Sequence, residues 1–178
     1  MTTGPGGRRT YCLWKQTAHV KHLPKHIQPR WRYLAVGIET WPDTTVEREA
    51  FQRALWYSAQ NLLGDPGSAA LDLSVLRFRA APGSAEALVR VRRGERERAR
   101  AALACVDSVT GDPVGLRVRG VSGTVRACEE KYMGGKREDY NERDVAFEDA
   151  DRFAIVRDGR ADVRVESGFV GATALETE

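Results

Sequence analysis

Six arginines alternate with apolar residues on three stretches of the sequence: Arg77 and Arg79 around Phe78, Arg90 and Arg92 around Val91, Arg117 and Arg119 around Val118. Side chains two apart on a β-strand share a face, so each arginine pair projects to one side and its central apolar residue to the other. With matching registers, one sheet face carries all six, and Arg93, Arg96 and Arg100 extend the basic area. Clustered cations are what contact with a phosphate backbone requires. An ordinary solvated sheet face written in arginine would have the same pattern. No aromatic pair sits in these three stretches where base-stacking platforms are expected, which points to recognition of backbone and shape rather than of sequence.

A second candidate is the run Gly120-Val121-Ser122-Gly123-Thr124-Val125-Arg126, where a strand passes through a glycine-bounded turn into a helix. Free backbone N–H groups at the helix start, the hydroxyls of Ser122 and Thr124 and the charge of Arg126 suit a phosphate. Plain capping by Ser122 accounts for that serine equally well. A third is Trp56. On a helical wheel Ala50, Phe51, Leu55 and Leu62 fall in one half, whereas Trp56 lies with Glu49, Arg53 and Gln60 in the other. A tryptophan on a polar face is a candidate protein contact, with Arg53 and Gln60 beside it.

Residues for bond-breaking chemistry are missing from the body of the chain. His19, His22 and His26 all lie in an N-terminal arm, and Pro24 interrupts the helix that would align them as metal ligands. A Ser-His-Asp or Cys-His mechanism would have to borrow from that arm. Glu47 with Glu49 and Glu129 with Glu130 read as helix-terminal or solvated charges, not as a paired acid and base. Neither a GKS/GKT phosphate loop nor a GxGxxG fingerprint occurs. Cys12, Cys105 and Cys128 have no metal spacing and are an odd number, so they read as idle or buried thiols.

The chain that must position these groups has 178 residues, enough for one domain with appendages. No run reaches the roughly 18 apolar residues of a membrane span. No apolar segment follows Arg8 and Arg9 as a secretory signal would require, and the expected location is the cytoplasm. The net charge of +3 is a sum of unlike parts. Residues 20–136 hold 19 Lys or Arg against 13 Asp or Glu, while residues 137–178 hold 6 against 12. A basic body with an acidic tail fits a protein that meets nucleic acid, and acidic tails also serve solubility. Of the 28 cations, 23 are arginines, whose planar fork suits phosphate; a GC-rich genome gives the same bias.

Residues 1–30 read as a flexible basic arm punctuated by Gly and Pro. A strand follows from Trp31, with Leu34, Val36 and Ile38 on one face. Thr44 or Thr45 then caps a helix running to Leu63, where Gly64, Pro66 and Gly67 stop it. Leu71–Arg79 and Ala85–Arg92 form a hairpin around Pro82 and Gly83. A second helix from near Gly94 carries Ala99, Ala102, Leu103 and Val106 on one stripe. Val114–Val121 is a fourth strand, and Ser122 opens a third helix reaching Met133. The order β, α, β, β, α, β, α predicts an α+β fold: a ferredoxin-like, RRM-like sandwich with a four-stranded, mainly antiparallel sheet and an added C-terminal helix, over residues 31–136. Residues 137–178 form an acidic, loose extension, with a hairpin over 153–165 around Asp158-Gly159.

Leu23-Pro24, Arg32-Tyr33, Leu55-Trp56, Leu63-Gly64 and above all Gly120 to Arg126 give this chain a specific resemblance. Over about residues 20–136 it resembles the archaeal ribonuclease P protein component 2 family, relatives of the eukaryotic Pop-type subunit, in its arginine-rich, acidic-tailed haloarchaeal branch. The resemblance implies a subunit of the ribonucleoprotein that removes the 5′ leader of precursor tRNA. There the RNA subunit, with Mg²⁺, performs the phosphodiester hydrolysis, and no cofactor sits on the protein. It implies ribonuclease P RNA and the barrel-fold protein component 3 as partners, together with the other protein subunits, and precursor tRNA as the substrate of the complex. The expected RNA contacts are then Lys21, Lys25, Arg30, Arg32, Arg77, Arg79, Arg90, Arg92, Arg93, Arg117, Arg119, Ser122, Thr124 and Arg126, with Trp56, Arg53 and Gln60 as the protein interface. Residues 1–19 precede the usual family start, and Val20 stands where an initiator is expected. A ferredoxin-like regulatory or interaction domain that binds no RNA is the alternative.

Overall fold

Alternation of Leu34, Val36 and Ile38 with Tyr33, Ala35 and Gly37 makes β1 (Trp31–Glu39) the central strand, buried on both faces from Leu34 to Ile38. The computed structural model describes residues 27–134, 141–148, 150–157, 160–166 and 168–173. After β1 come α1 (Arg48–Leu71), β2 (Ser74–Ala81), β3 (Ser84–Arg92) and α2 (Arg96–Ala104). A two-residue ladder follows, β4 (Ser108–Val109) with β5 (Asp112–Pro113), then β6 (Gly115–Ser122) and α3 (Val125–Tyr132). The main sheet has the order β2-β3-β1-β6, and each neighbouring pair in it is antiparallel. β1 and β2 therefore run the same way with β3 between them, the split βαβ arrangement expected from the element order.

Helices α1 and α2 cover one face. Phe51, Leu55 and Ala59 recur every four residues on α1 and are fully buried over Leu34, Val36, Val89 and Val91, with Ala99, Ala102 and Leu103 of α2 completing the core. Ser58 Oγ donates to the Ala102 carbonyl at 2.7 Å, which gives its hydroxyl a partner where the two helices meet. On β3 the arginines flank Val91, which lies in this core, while Phe78 and Val118 pack against it from β2 and β6.

The start of α1 differs from the sequence-based expectation. Neither Thr44 nor Thr45 caps it; the helix starts at Arg48 after Glu47, with no side-chain cap, and the Thr44 carbonyl is occupied in the preceding loop by Gly83 N–H and Thr40 Oγ. Gly64 does end its first segment, as expected: at φ 70°, ψ 174° it leaves helical geometry and kinks the axis. A second helical segment, which the sequence did not suggest, follows, with Pro66 in its first turn, where the missing N–H costs no hydrogen bond. That segment ends at Asp72, itself left-handed at φ 50°. The β2–β3 hairpin closes through Pro82 and Gly83, with Gly83 at φ 74°.

The acidic extension holds more than a hairpin. Four strands, β7 (Asn141–Phe147), β8 (Ala150–Arg157), β9 (Arg160–Val165) and β10 (Gly168–Thr173), form a second antiparallel sheet in sequence order. Its packed face is made of Val145, Ala154, Ala161, Val163 and Ala172, mostly small residues whose alternation is diluted by neighbouring charges. Phe169 stacks on Trp41, beyond the end of β1, with ring centroids 6.0 Å apart.

Candidate nucleic-acid interface

The registers place all six alternating arginines on the sheet face away from α1 and α2. Arg92 lies opposite Trp31, Arg90 opposite Tyr33, Arg77 opposite Leu88, Arg79 opposite Glu86, and Arg117 opposite Gly37. Arg119 sits at a bulge in β6, and its Nε comes within 2.9 Å of where a Cβ on Gly37 would stand. That face is not open along its length. Helix α3 lies across its middle, burying Cys128 and Met133 against Ala35 and Leu88, with Tyr33, Val125 and Tyr132 packed around them. Cys128 donates its S–H to the Tyr33 carbonyl, and burial raises its pKa above the ordinary thiol value, so the group is held as an unreactive thiol.

Helix α3 therefore divides the arginines into two groups. At one end Arg119 pairs with Glu86, while Arg77 reaches Glu129 of α3 at 3.5 Å. Arg79 and Arg117 are exposed beside them. At the other end the start of β1, the end of β3 and the β6–α3 turn meet. Arg93 N–H donates to the Arg30 carbonyl at 2.9 Å, and Arg32 Nη1 lies 3.6 Å from the position a Gly123 Cβ would take. Arg30, Arg32, Arg90, Arg92 and Arg93 thus lie at this end of the sheet, with Arg32 beside Gly123, and Arg126 lies in the first turn of α3. The neighbouring acids are Asp72, at 3.9 Å from Arg90 and 3.7 Å from Arg92, and Glu130, which takes the 88% exposed Arg126 at 2.7 Å. Surface pairs of this kind contribute about 0–1 kcal/mol, so these cations remain open to exchange partners with an entering phosphate.

The hydroxyl that caps α3 belongs to Thr124, not Ser122. Thr124 Oγ1 accepts from Ala127 N–H at 3.2 Å, and Ser122 remains the last residue of β6, its Oγ accepting from Thr124 N–H at 3.5 Å. The helix begins three residues later than expected because Ser122 is still held in register opposite Tyr33. Lys21 and Lys25 lie outside the described residues.

Two members of this end were not found in the sequence. Trp31 was read as the start of a strand only, yet the Arg90 guanidinium lies over its ring at 4.1 Å, with Arg92 at 5.9 Å. Asp72, which faces both arginines, is a helix-end residue. The signal for Trp31 was available, since it alternates with Tyr33 as the arginines alternate on β3; the register that joins them was not.

Trp56, Arg53 and Gln60 lie on α1, where with Tyr57 and Thr110 they line a groove of about 480 Å³. Trp56 is 49% and Tyr57 68% exposed. Trp56 Nε1 donates to the Leu73 carbonyl at 2.8 Å, so this exposed ring is fixed in place.

Residues 32–133 match the model of the Rpp14/Pop5 family. The chain is 61% identical over 157 residues to ribonuclease P protein component 2 of Natronomonas pharaonis, covering 88% of this chain and 98% of that protein. It is 62% identical over 159 residues to the protein of the same name from Haloarcula marismortui, covering 88% and 99%. A chain in the cryo-EM structure of yeast ribonuclease MRP is similar with a TM-score of 0.44 and 14% identity, over 55% of this chain and 76% of that one. Matched through the whole split-βαβ sheet and α3, the chain belongs to the Rpp14/Pop5 family of ribonuclease P protein subunits.

Proposed function

We propose that this chain works within ribonuclease P by binding and supporting the RNA that cleaves the 5′ leader from precursor tRNA, and that it supplies no catalytic group itself. The observation that carries this reading is the presence of Arg30, Arg32, Arg90, Arg92 and Arg93 at one end of the sheet, with Arg126 in the first turn of α3. Folding an RNA brings phosphates together, and cations held on a rigid sheet offset that repulsion. Mg²⁺ is assigned in this reading to the RNA subunit, as the family resemblance implies. Among the described residues no helix is long and apolar enough to cross a membrane; the cytoplasm is the proposed location. The test is binding of ribonuclease P RNA by the full chain across a salt series. Affinity should fall steeply as salt rises. Indifference to RNA would favour a ferredoxin-like regulatory or interaction domain instead.

The α1 groove is the proposed seat of the barrel-fold protein component 3, because Trp56, held by its bond to the Leu73 carbonyl, and the exposed Tyr57 offer an aromatic anchor there. Trp56→Ala should weaken association with component 3 by about 2 kcal/mol, roughly thirtyfold, in a pull-down or titration, and leave RNA affinity unchanged. The reverse pattern would exchange the roles of the two surfaces.

A further inference from the structure

Within the basic end, one group is not explained by phosphate contact. Contact with phosphate needs only a cation, whereas here Arg90 and Arg92 are packed against an aromatic ring, Trp31. Trp31 and Tyr33 stand two apart on the central strand, on the same face as the arginines, and the registers set Arg92 and Arg90 directly across from them. The Arg90 guanidinium covers the indole at 4.1 Å. Its Nε is buried without a hydrogen-bond partner among the described residues, and its contact to Asp72 is long, at 3.9 Å. Arg90 is therefore held by its contact over the Trp31 ring more than by directed hydrogen bonds. Tyr33 is covered by α3, and Trp31 is the aromatic residue of this face that the helix leaves at the margin.

We propose that Trp31 with Arg90 and Arg92 is a stacking platform for one unpaired base of the RNA, while Arg93, Arg30 and the β6–α3 turn take the flanking phosphates. The inference rests on the RNA-binding reading above and deepens it: the ligand at this end is a single-stranded nucleotide, not only a helical backbone. Bases splayed from loops and bulges stack on aromatic rings and on guanidinium planes, and here both are present in one preformed stack. Asp72 faces Arg90 and Arg92 from behind α1 and limits where their guanidiniums can go. A base is sequence-tolerant in such a stack, so the platform sets the placement of an unpaired nucleotide without specifying which one.

The test is binding of full-length ribonuclease P RNA by the full chain carrying Trp31→Ala, Trp31→Phe, Trp31→Leu or Arg93→Gln, each over a salt series. Trp31→Ala and Trp31→Leu should lose about tenfold in affinity with an unchanged slope of log affinity against log salt, and Trp31→Phe should retain most of the affinity. Arg93→Gln should reduce the slope by about one. Leucine fills much of the space of the indole, so the Phe and Leu variants decide the matter even where alanine fails to fold. If the Trp31 variants bind like the native chain while Arg93→Gln is weakened, no base stacks here and the RNA interface stands. If the Trp31 variants lose slope as arginine variants do, Trp31 only positions the cations and the platform is overturned. If none of the four changes binding, the RNA-binding reading of this end itself fails.

Discussion

Gly120→Ala should cost about 1–3 kcal/mol of stability, the usual penalty for overpacking a tight contact, and should weaken RNA binding with it. A Cβ at position 120 would stand 2.3 Å from Tyr132 Cε1 and 2.4 Å from its Cζ, well inside contact distance. The glycine is there for close approach: it lies on β6 opposite Ala35, and the Tyr132 ring at the end of α3 rests directly on it. To make room Tyr132 must lift. Helix α3 holds to the sheet through a small cluster centred on Cys128 and Met133, so the whole helix is poorly placed to absorb the shift. Its first turn carries Thr124 and Arg126, which makes docking of α3 a condition for the basic end. Gly123→Ala is the control, because its nearest neighbour is Arg32 Nη1 at 3.6 Å, an ordinary contact with a flexible side chain. Chemical unfolding of the three chains checks this. Equal stability of Gly120→Ala and the native chain would mean that Tyr132 leaves the sheet freely.

Neutralising Arg32, Arg93 and Arg126 together to Gln should reduce affinity for ribonuclease P RNA by about a hundredfold or more near 0.1 M salt, and should lower the salt slope by about two to three. These cations sit on three elements, β1, the end of β3 and α3, and converge at one end of the sheet. Arg126 loses little by leaving Glu130, since that pair is solvent-exposed. The matching triple change at the far end, Arg77, Arg79 and Arg119 to Gln, should cost less. There Arg77 and Arg119 are already engaged by Glu129 and Glu86, so in the native chain they have less attraction for phosphate to lose. A larger loss from the far-end triple would move the RNA to the other side of α3.

How far these two expectations could be reached from sequence differs instructively. The period of two in Leu34, Val36 and Ile38 and around each arginine pair was enough to assign strands, the four-stranded sheet and the common face of the six arginines. Period carries no register, however, and register is what brought Trp31 against Arg90 and Arg92 and what kept Ser122 in the strand. A third helix was expected, yet nothing in its eight residues says which sheet face it covers, and that choice splits the basic surface in two. The segment after Gly64 shows a different limit. Gly64 is legible as a break and is one, but Pro66 and Gly67 read as further breakers, whereas a second helical segment runs through them because Gly67 and Leu71 are buried there. In the acidic extension, runs such as Asn141 to Asp144 conceal the alternation, and small residues like Ala154, Ala161 and Ala172 give too weak an apolar signal to reveal four strands.

The resemblance carried by Gly120 to Arg126 likewise has a physical content that the motif alone did not show. Gly120 admits Tyr132, Thr124 caps the helix, Arg126 presents its charge on the first turn, and Gly123 leaves space beside Arg32. The run fixes the junction of sheet and helix on which the proposed RNA contacts depend.

Cleavage of precursor tRNA by reconstituted ribonuclease P at limiting Mg²⁺, with and without this chain and with its Arg32, Arg93, Arg126 triple variant, tests the central claim most directly. The account predicts that omission or triple substitution slows cleavage and raises the Mg²⁺ needed, because cations supplied by the protein are then replaced by Mg²⁺ from solution. A rate and a Mg²⁺ requirement unchanged by leaving the chain out would contradict it.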